Sequence, residues 1–328
     1  MEMRFITTVK KVLLSFCLIL LFTLSACEKS EQSHEHIDLK NEQQNITYSF
    51  NNPNTGQEFT IIHAYLLYEN YFEAAKEKPD ESHYNLYQQE VIQPVYEACF
   101  EDSDFADSAT VLNWVPREAD FESFKTQVES INSDHLNELF EESLIKSSDI
   151  LPIDEKTTVC VFPENNKLPS DMFTLESGKI IVFHSRPDIR YKTGMSHEYH
   201  HSVWMGKHYN KNHFETGLDR LIVEGGAMMF ETLVYPDLNH VHYYVDETFN
   251  KEHWSKVEPY LESVATSEFI QDIMEGGSKG FPRNYGYSEG YKMIRSYLNV
   301  YPDMNVEEWT SKSPKEIFEE GNYIANYQ

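Results

Sequence analysis

The residue types capable of chemistry are concentrated in one part of this chain. Nine of its fourteen histidines fall between His184 and His253, and the run His197-Glu198-Tyr199-His200-His201 contains the pattern H-E-x-x-H. On a helix, residues four apart lie ~6 Å apart along the axis and on nearly the same face. Both imidazoles, His197 and His201, can therefore reach one Zn²⁺ ion. Glu198, one step round the helix, would stand beside the open side of the metal and take a proton from water whose pKa the metal lowers to ~7.

Three fixed positions arise by chance, so the pattern needs a setting and a third ligand. The β-branched run ending at Phe183 precedes it, followed by a turn at Arg186-Pro187-Asp188 with Asp188 as the expected helix N-cap. A metzincin spacing would require Gly at 204 and His at 207, where the sequence has Trp204 and Lys207. His208 lies ~10 Å beyond His201 along the same helix, out of reach unless the helix breaks at Gly206. His213 and Glu215 sit in the polar stretch that follows. Glu224 is the strongest candidate. It lies within Leu221-Ile222-Val223-Glu224-Gly225-Gly226-Ala227-Met228-Met229-Phe230, where a carboxylate is costly unless paired or metal-bound. A Gly-Gly pair inside a helix sacrifices ~1 kcal/mol per residue relative to Ala, and small residues there would let this helix approach the His197 helix. The other reading makes this a helix end, with Glu224 exposed and the glycines as a cap. His200 could exchange with His201 as ligand or flank the site.

His197 to His201, the Glu224-Gly225-Gly226-Ala227 stretch and Gly286-Tyr287-Ser288-Glu289-Gly290-Tyr291 occur in this order. Together they resemble the predicted Zn-dependent protease family long catalogued as a domain of unknown function, over roughly residues 60–305. The general plan is similar to that of gluzincins, metallopeptidases with H-E-x-x-H and a downstream glutamate ligand. The resemblance implies that His197, His201 and Glu224 bind Zn²⁺, that Glu198 is the general base, and that the substrate is a peptide or protein. Gly226 departs from the pattern, standing where a larger apolar residue is expected.

A hydrolase of this kind also needs a donor for the tetrahedral oxyanion. Tyr287 is the chosen candidate, a phenol expected in a glycine-flanked turn before a helix from Tyr291 to Leu298. Tyr285, Arg283, His240 and His242 are its rivals. The strand Lys179–Phe183 either pairs with an extended peptide along a sheet edge or lies in the interior. Phosphate-binding motifs of the G-x-x-x-x-G-K-[ST] and G-x-G-x-x-G kinds are absent. Gly194-Met195-Ser196 begins like a nucleophile elbow, but Glu198 stands at the closing glycine position. A non-catalytic surface protein that keeps the same fold to bind a metal or a peptide is the alternative to an enzyme.

Several elements must position these residues. Short β-prone runs occur at 46–50 and 58–63, helical spacing of Tyr, Leu and Val follows from Tyr65 to Tyr96, and helices are expected near 119–131 and 133–148. Thr157–Phe162 and Gly178–Phe183 read as strands separated by a loop from Glu164 to Ser177, and helices dominate after Asp188. The fold class is α+β: a zincin-like metallopeptidase domain, mostly helical with a small central β-sheet, spanning residues 45–328.

The chain has 328 residues, with 54 Asp and Glu against 27 Lys and Arg, and an apolar fraction of 40%. It has a core to bury, and its acidity argues against nucleic acid as a partner. Residues 1–26 read as a lipoprotein signal peptide. Arg4, Lys10 and Lys11 precede the apolar run Val12–Leu24, which is shorter than the ~20 residues needed to span a bilayer. Leu24-Ser25-Ala26-Cys27 resembles the lipobox of bacterial lipoproteins, which implies cleavage before Cys27 and acyl chains such as palmitate on that residue. The expected location is extracytoplasmic, anchored by lipid to the bacterial cell membrane. Loss of residues 1–26 removes three basic groups and one acidic group, taking the net charge from −27 to −29. Residues 27–44 read as a polar tether whose His34 and His36 carry no expected role. Cys99 and Cys160 remain, either paired outside the cytoplasm or present as small buried hydrophobes.

Overall fold

Five short strands form one mixed sheet in the order β1-β2-β3-β5-β4: β1 (Thr47–Asn51), β2 (Glu58–Ile62), β3 (Thr157–Pro163), β4 (Met172–Glu176) and β5 (Lys179–His184). β2, β3 and β5 run parallel, while β1 and β4 are antiparallel to their neighbours at the two edges. The computed structural model describes residues 46–101, 103, 111–164, 171–184, 187–208, 216–238, 245–276 and 280–328. The proposed signal peptide, Cys27 and the tether lie outside the described residues, as do His34, His36, His213, Glu215, His240 and His242. Among the described residues no helix is long and apolar enough to cross a membrane.

Thr157–Pro163 is buried along its whole length because both faces of the sheet are covered, the condition under which a strand reads as a continuous apolar run. Side chains alternate between faces. Val159, Val161, Ile180 and Val182 enter the core shared with the His197 helix. Cys160, Phe162, Ile181 and Phe183 enter the opposite core with Tyr68, Tyr71, Tyr87 and Val91. In that second core Cys99 and Cys160 form a disulfide with a Cα–Cα distance of 6.1 Å. It closes a separation of 61 residues, which by loop entropy stabilises the fold by about 4 kcal/mol.

One expectation changes here and one open alternative is resolved. The stretch between the two apolar runs is not all loop, because Met172–Glu176 pairs antiparallel with β5. Consequently Lys179–His184 is interior, hydrogen-bonded on both sides, and the edge belongs to β4. The expected helices near 119–131 and 133–148 are present as Phe121–Ser130 and Ser133–Ile150. The Tyr65–Tyr96 region is helical but broken into short pieces.

Three helices carry the site. The motif helix Asp188–His208 begins at Asp188 and runs unbroken through Gly206. Its Tyr191, Met195, Tyr199 and Val203, four residues apart, form the stripe buried against the sheet, each contributing about 2 kcal/mol. The glutamate helix Gly217–Val234 starts with a capping box in which Thr216 and Asp219 bond each other's backbone N–H. The tyrosine helix Tyr285–Val300 begins after Asn284, whose φ of 57° is left-handed. It packs along the glutamate helix so closely that a Cβ on Gly225 would overlap the backbone of Gly290, and a Cβ on Gly290 the carbonyl of Leu221. Gly225 therefore serves contact with the tyrosine helix. Gly226 is the one that faces the motif helix: a Cβ there would stand 3.0 Å from the His200 ring and 3.4 Å from Trp309. The missing bulk at Gly226 is supplied by the His200 imidazole.

Candidate metal centre

With about 100° between successive residues, the Tyr191-Met195-Tyr199-Val203 stripe fixes where every other side chain of the motif helix points. His197 and His201 fall on the face turned away from the sheet and toward the glutamate helix. Their rings are 4.5 Å apart between centroids and nearly perpendicular. Glu198 falls on one flank, toward β4, and His200 on the other.

Glu224 meets the two imidazoles from the opposite side. It is in the middle of its helix and buried, so the reading of a capped helix end is overturned. Its Oε2 lies 3.1 Å from His197 Nε2 and 3.3 Å from His201 Nε2. Its Oε1 accepts from the guanidinium of Arg220 at 2.9 Å, one turn earlier on the same helix. Burial alone would raise the Glu224 carboxyl, but the charges of Arg220 and His201 and the hydrogen bonds from His197 and His201 hold it well below the usual carboxylate range. Ligand atoms of His197, Glu198 and His201 all lie within 4.8 Å of one another.

Behind His197 stands a second carboxylate. Glu231, two turns after Glu224 on the same face, holds His197 Nδ1 at 2.7 Å and is 3% exposed. Burial opposes a charge on His197, yet the hydrogen bonds to Glu224 and Glu231 outweigh it and push its pKa up to about 10. The backing carboxylate fixes the ring's orientation, turning Nε2 toward Glu224. His201 Nδ1 is buried without a hydrogen-bond partner among the described residues.

Glu198 is 8% exposed. The hydroxyl of Thr174, on edge strand β4, lies 3.0 Å from its Oε2 and 2.8 Å from its backbone carbonyl, so the edge of the sheet and the carboxylate beside the imidazoles are in direct contact. His200 is packed into the core, its ring stacked on Trp309 at 5.2 Å, with Nε2 3.4 Å from Thr310 Oγ1. Burial, then the neighbouring charges of His201, His197 and His208, hold its pKa well below the ordinary imidazole value. It flanks the site and does not exchange with His201. His208 Nε2 bonds the carbonyl of Thr310 at 2.7 Å, far down the unbroken helix, and is removed from the ligand set.

Tyr287 lies in the first turn of the tyrosine helix rather than in a turn preceding it. The Glu224 carboxylate, then burial, then Glu198 push its phenol above the usual tyrosine value, while Arg220 opposes them. The hydroxyl therefore stays protonated in the field of Glu224 and Glu198. Of its rivals, Tyr285 is buried against Phe281 and His253, and Arg283 is exposed.

Two imidazole nitrogens and one carboxylate oxygen converging from two helices form a donor set suited to zinc. Three contributors escaped the sequence reading. Glu231 left a signal, being a second acid in the same apolar helix at a spacing of seven. Arg220, four residues before Glu224, left a weaker one. Thr174 left none, because its strand lay in a stretch read as loop.

A family model described as predicted Zn-dependent protease matches residues 128–319, a span that contains the motif helix, the glutamate helix, the tyrosine helix and strands β3 to β5. It begins later and ends further along the chain than the 60–305 suggested by the motifs. No curated protein and no solved structure matches. Since the matched span covers more than half of the chain and includes all of the converging donors, the chain belongs to this family of predicted Zn-dependent proteases, with Zn²⁺ as cofactor on an α+β fold.

Proposed function

We propose that this protein hydrolyses peptide bonds with Zn²⁺ held by His197, His201 and Glu224. The observation that carries the reading is the approach of Glu224 Oε2 to both Nε2 atoms, at 3.1 and 3.3 Å, with Glu198 adjoining them. A bound zinc supplies Lewis acidity, polarising the scissile carbonyl and making water acidic near neutral pH. Glu198 removes a proton from the attacking water and returns it to the leaving nitrogen as the C–N bond breaks, giving a carboxylate and an amine. The Tyr287 phenol, kept protonated by its acidic neighbours, donates to the developing oxyanion. An extended substrate would lie along β4, the edge strand that touches Glu198 through Thr174.

The protein is further read as a lipoprotein outside the cytoplasm, joined to the membrane by acyl chains on Cys27 through the tether 27–44, with residues 45–328 as the catalytic domain. The Cys99–Cys160 disulfide supports an oxidising compartment. The net charge of −29 on residues 27–328 favours basic or neutral peptides over acidic ones at low salt.

Glu198→Gln should keep stoichiometric zinc and lose peptide cleavage in a mixed peptide library. Undiminished cleavage by that variant rejects the mechanism. Zinc without cleavage by the parent protein leaves a binding protein on the same fold.

A further inference from the structure

We propose that Arg220 is a positioning residue for the metal centre, holding Glu224 so that Oε2 alone is offered between the two imidazoles. The inference rests on Glu224 being a zinc ligand. Glu224 is an almost fully buried carboxylate whose two oxygens have divided duties. Oε2 faces His197 Nε2 and His201 Nε2, whereas Oε1 is taken by the Arg220 guanidinium at 2.9 Å. A carboxylate at the end of a glutamate side chain rotates readily about its last torsion, and a rotation here would exchange the two oxygens or bring both toward the imidazoles.

Arg220 is placed to prevent this. It lies one turn before Glu224, the spacing at which helix side chains meet, and its planar guanidinium gives a directional bond that an ammonium does not. Its side chain is 39% exposed against 5% for Glu224. The pair therefore differs from an ordinary surface i,i+4 pair, in which both groups remain hydrated and the bond holds neither in place.

The arrangement parallels that on the other side of the site. Glu231 holds the atom of His197 that does not face the centre, and Arg220 holds the atom of Glu224 that does not face it. Two of the three donors are thus fixed from behind by side chains of the same helix, at positions 220 and 231, with the ligand at 224 between them. The capping box at Thr216 and Asp219 anchors the turn from which Arg220 projects.

The test is zinc affinity, measured by chelator competition on the parent protein, Arg220→Met and Arg220→Lys, with the visible spectrum of the Co²⁺-loaded forms as a readout of ligand arrangement. Arg220→Met should bind zinc about tenfold or more weakly and give an altered Co²⁺ spectrum, and Arg220→Lys should recover part of the affinity. Thermal unfolding of the metal-free variants, whose midpoints should fall because the buried Glu224 loses its cation, sets the temperature below which all are folded, and affinities compared there separate positioning from folding. Equal or tighter zinc binding by Arg220→Met, with an unchanged Co²⁺ spectrum, overturns the proposal while leaving the peptidase reading intact. A parent protein that takes up no zinc overturns the peptidase reading itself, and this inference with it.

Discussion

Glu231 Oε1 lies 2.7 Å from Nδ1 of His197, so that this imidazole is bonded at both nitrogens by carboxylates of a single helix, Glu224 in front and Glu231 behind. The spacing of seven residues, two helical turns, is what lets one helix serve both edges of the ring. Removing the rear partner should release the ring's tautomer and orientation. Glu231→Ala is expected to weaken zinc binding by between about ten- and a hundredfold, with Glu231→Gln, which can still accept from Nδ1–H, losing less. Isothermal titration or chelator competition reads the difference, and parent-like affinity in the Ala variant would contradict the assigned role.

Thr174 ties strand β4 to Glu198. Replacing its hydroxyl with a methyl in Thr174→Val leaves the volume nearly unchanged and frees the carboxylate. On any peptide the enzyme cleaves, kcat should fall by about ten- to a hundredfold through misplacement of the base, while zinc content stays stoichiometric. Thr174→Ser should restore the rate. A Val variant that only raises KM would assign Thr174 to substrate binding instead.

Gly225 and Gly226 are adjacent in sequence and should respond unequally to the same change. Gly225→Ala drives a methyl into the backbone of Gly290, forcing the two helices apart at an overpacking cost of about 1–3 kcal/mol. Gly226→Ala meets a side chain at 3.0 Å, and the ~1 kcal/mol gained in helix propensity offsets the contact. Urea unfolding midpoints should fall clearly for the first and move little for the second. Equal midpoints would refute the close helix contact.

In the metal-free protein the raised pKa of His197, about 10, links stability to pH. A folded-state pKa above the ordinary value of 6.5 means that the folded form holds the proton more tightly. The resulting stabilisation is complete below about 6.5 and disappears as pH rises toward 10. Thermal midpoints in the presence of a chelator should therefore decline from pH 6.5 to 10. His197→Gln should flatten that decline, and zinc binding at neutral pH should release a proton. A flat profile in the chelated parent would show that the proton is not held there.

Much of the site was legible in the sequence because it depends on helical period. The spacing of His197 and His201, and the cost of an acid in an apolar helix at Glu224, each follow from one segment taken alone. Glu231 carries the same signal, a second acid seven residues further along that apolar helix. The strands at Thr157 and Gly178 were equally local, being continuous β-branched runs.

What the sequence by itself determined is thus the short set of candidate donors and the helices that carry them, since side-chain direction on a helix is set by residue spacing. Only the tertiary structure decided how the elements meet. The order of strands made β4 the edge and brought Thr174 to Glu198, a contact between residues whose local patterns say nothing of each other. The close approach of Gly225 to Gly290 set the tyrosine helix beside the glutamate helix. The burial of His200 against Trp309, more than a hundred residues away, distinguished it from its neighbour His201. Pairing across a sheet and packing between helices depend on segments far apart in the chain, and no local period encodes them.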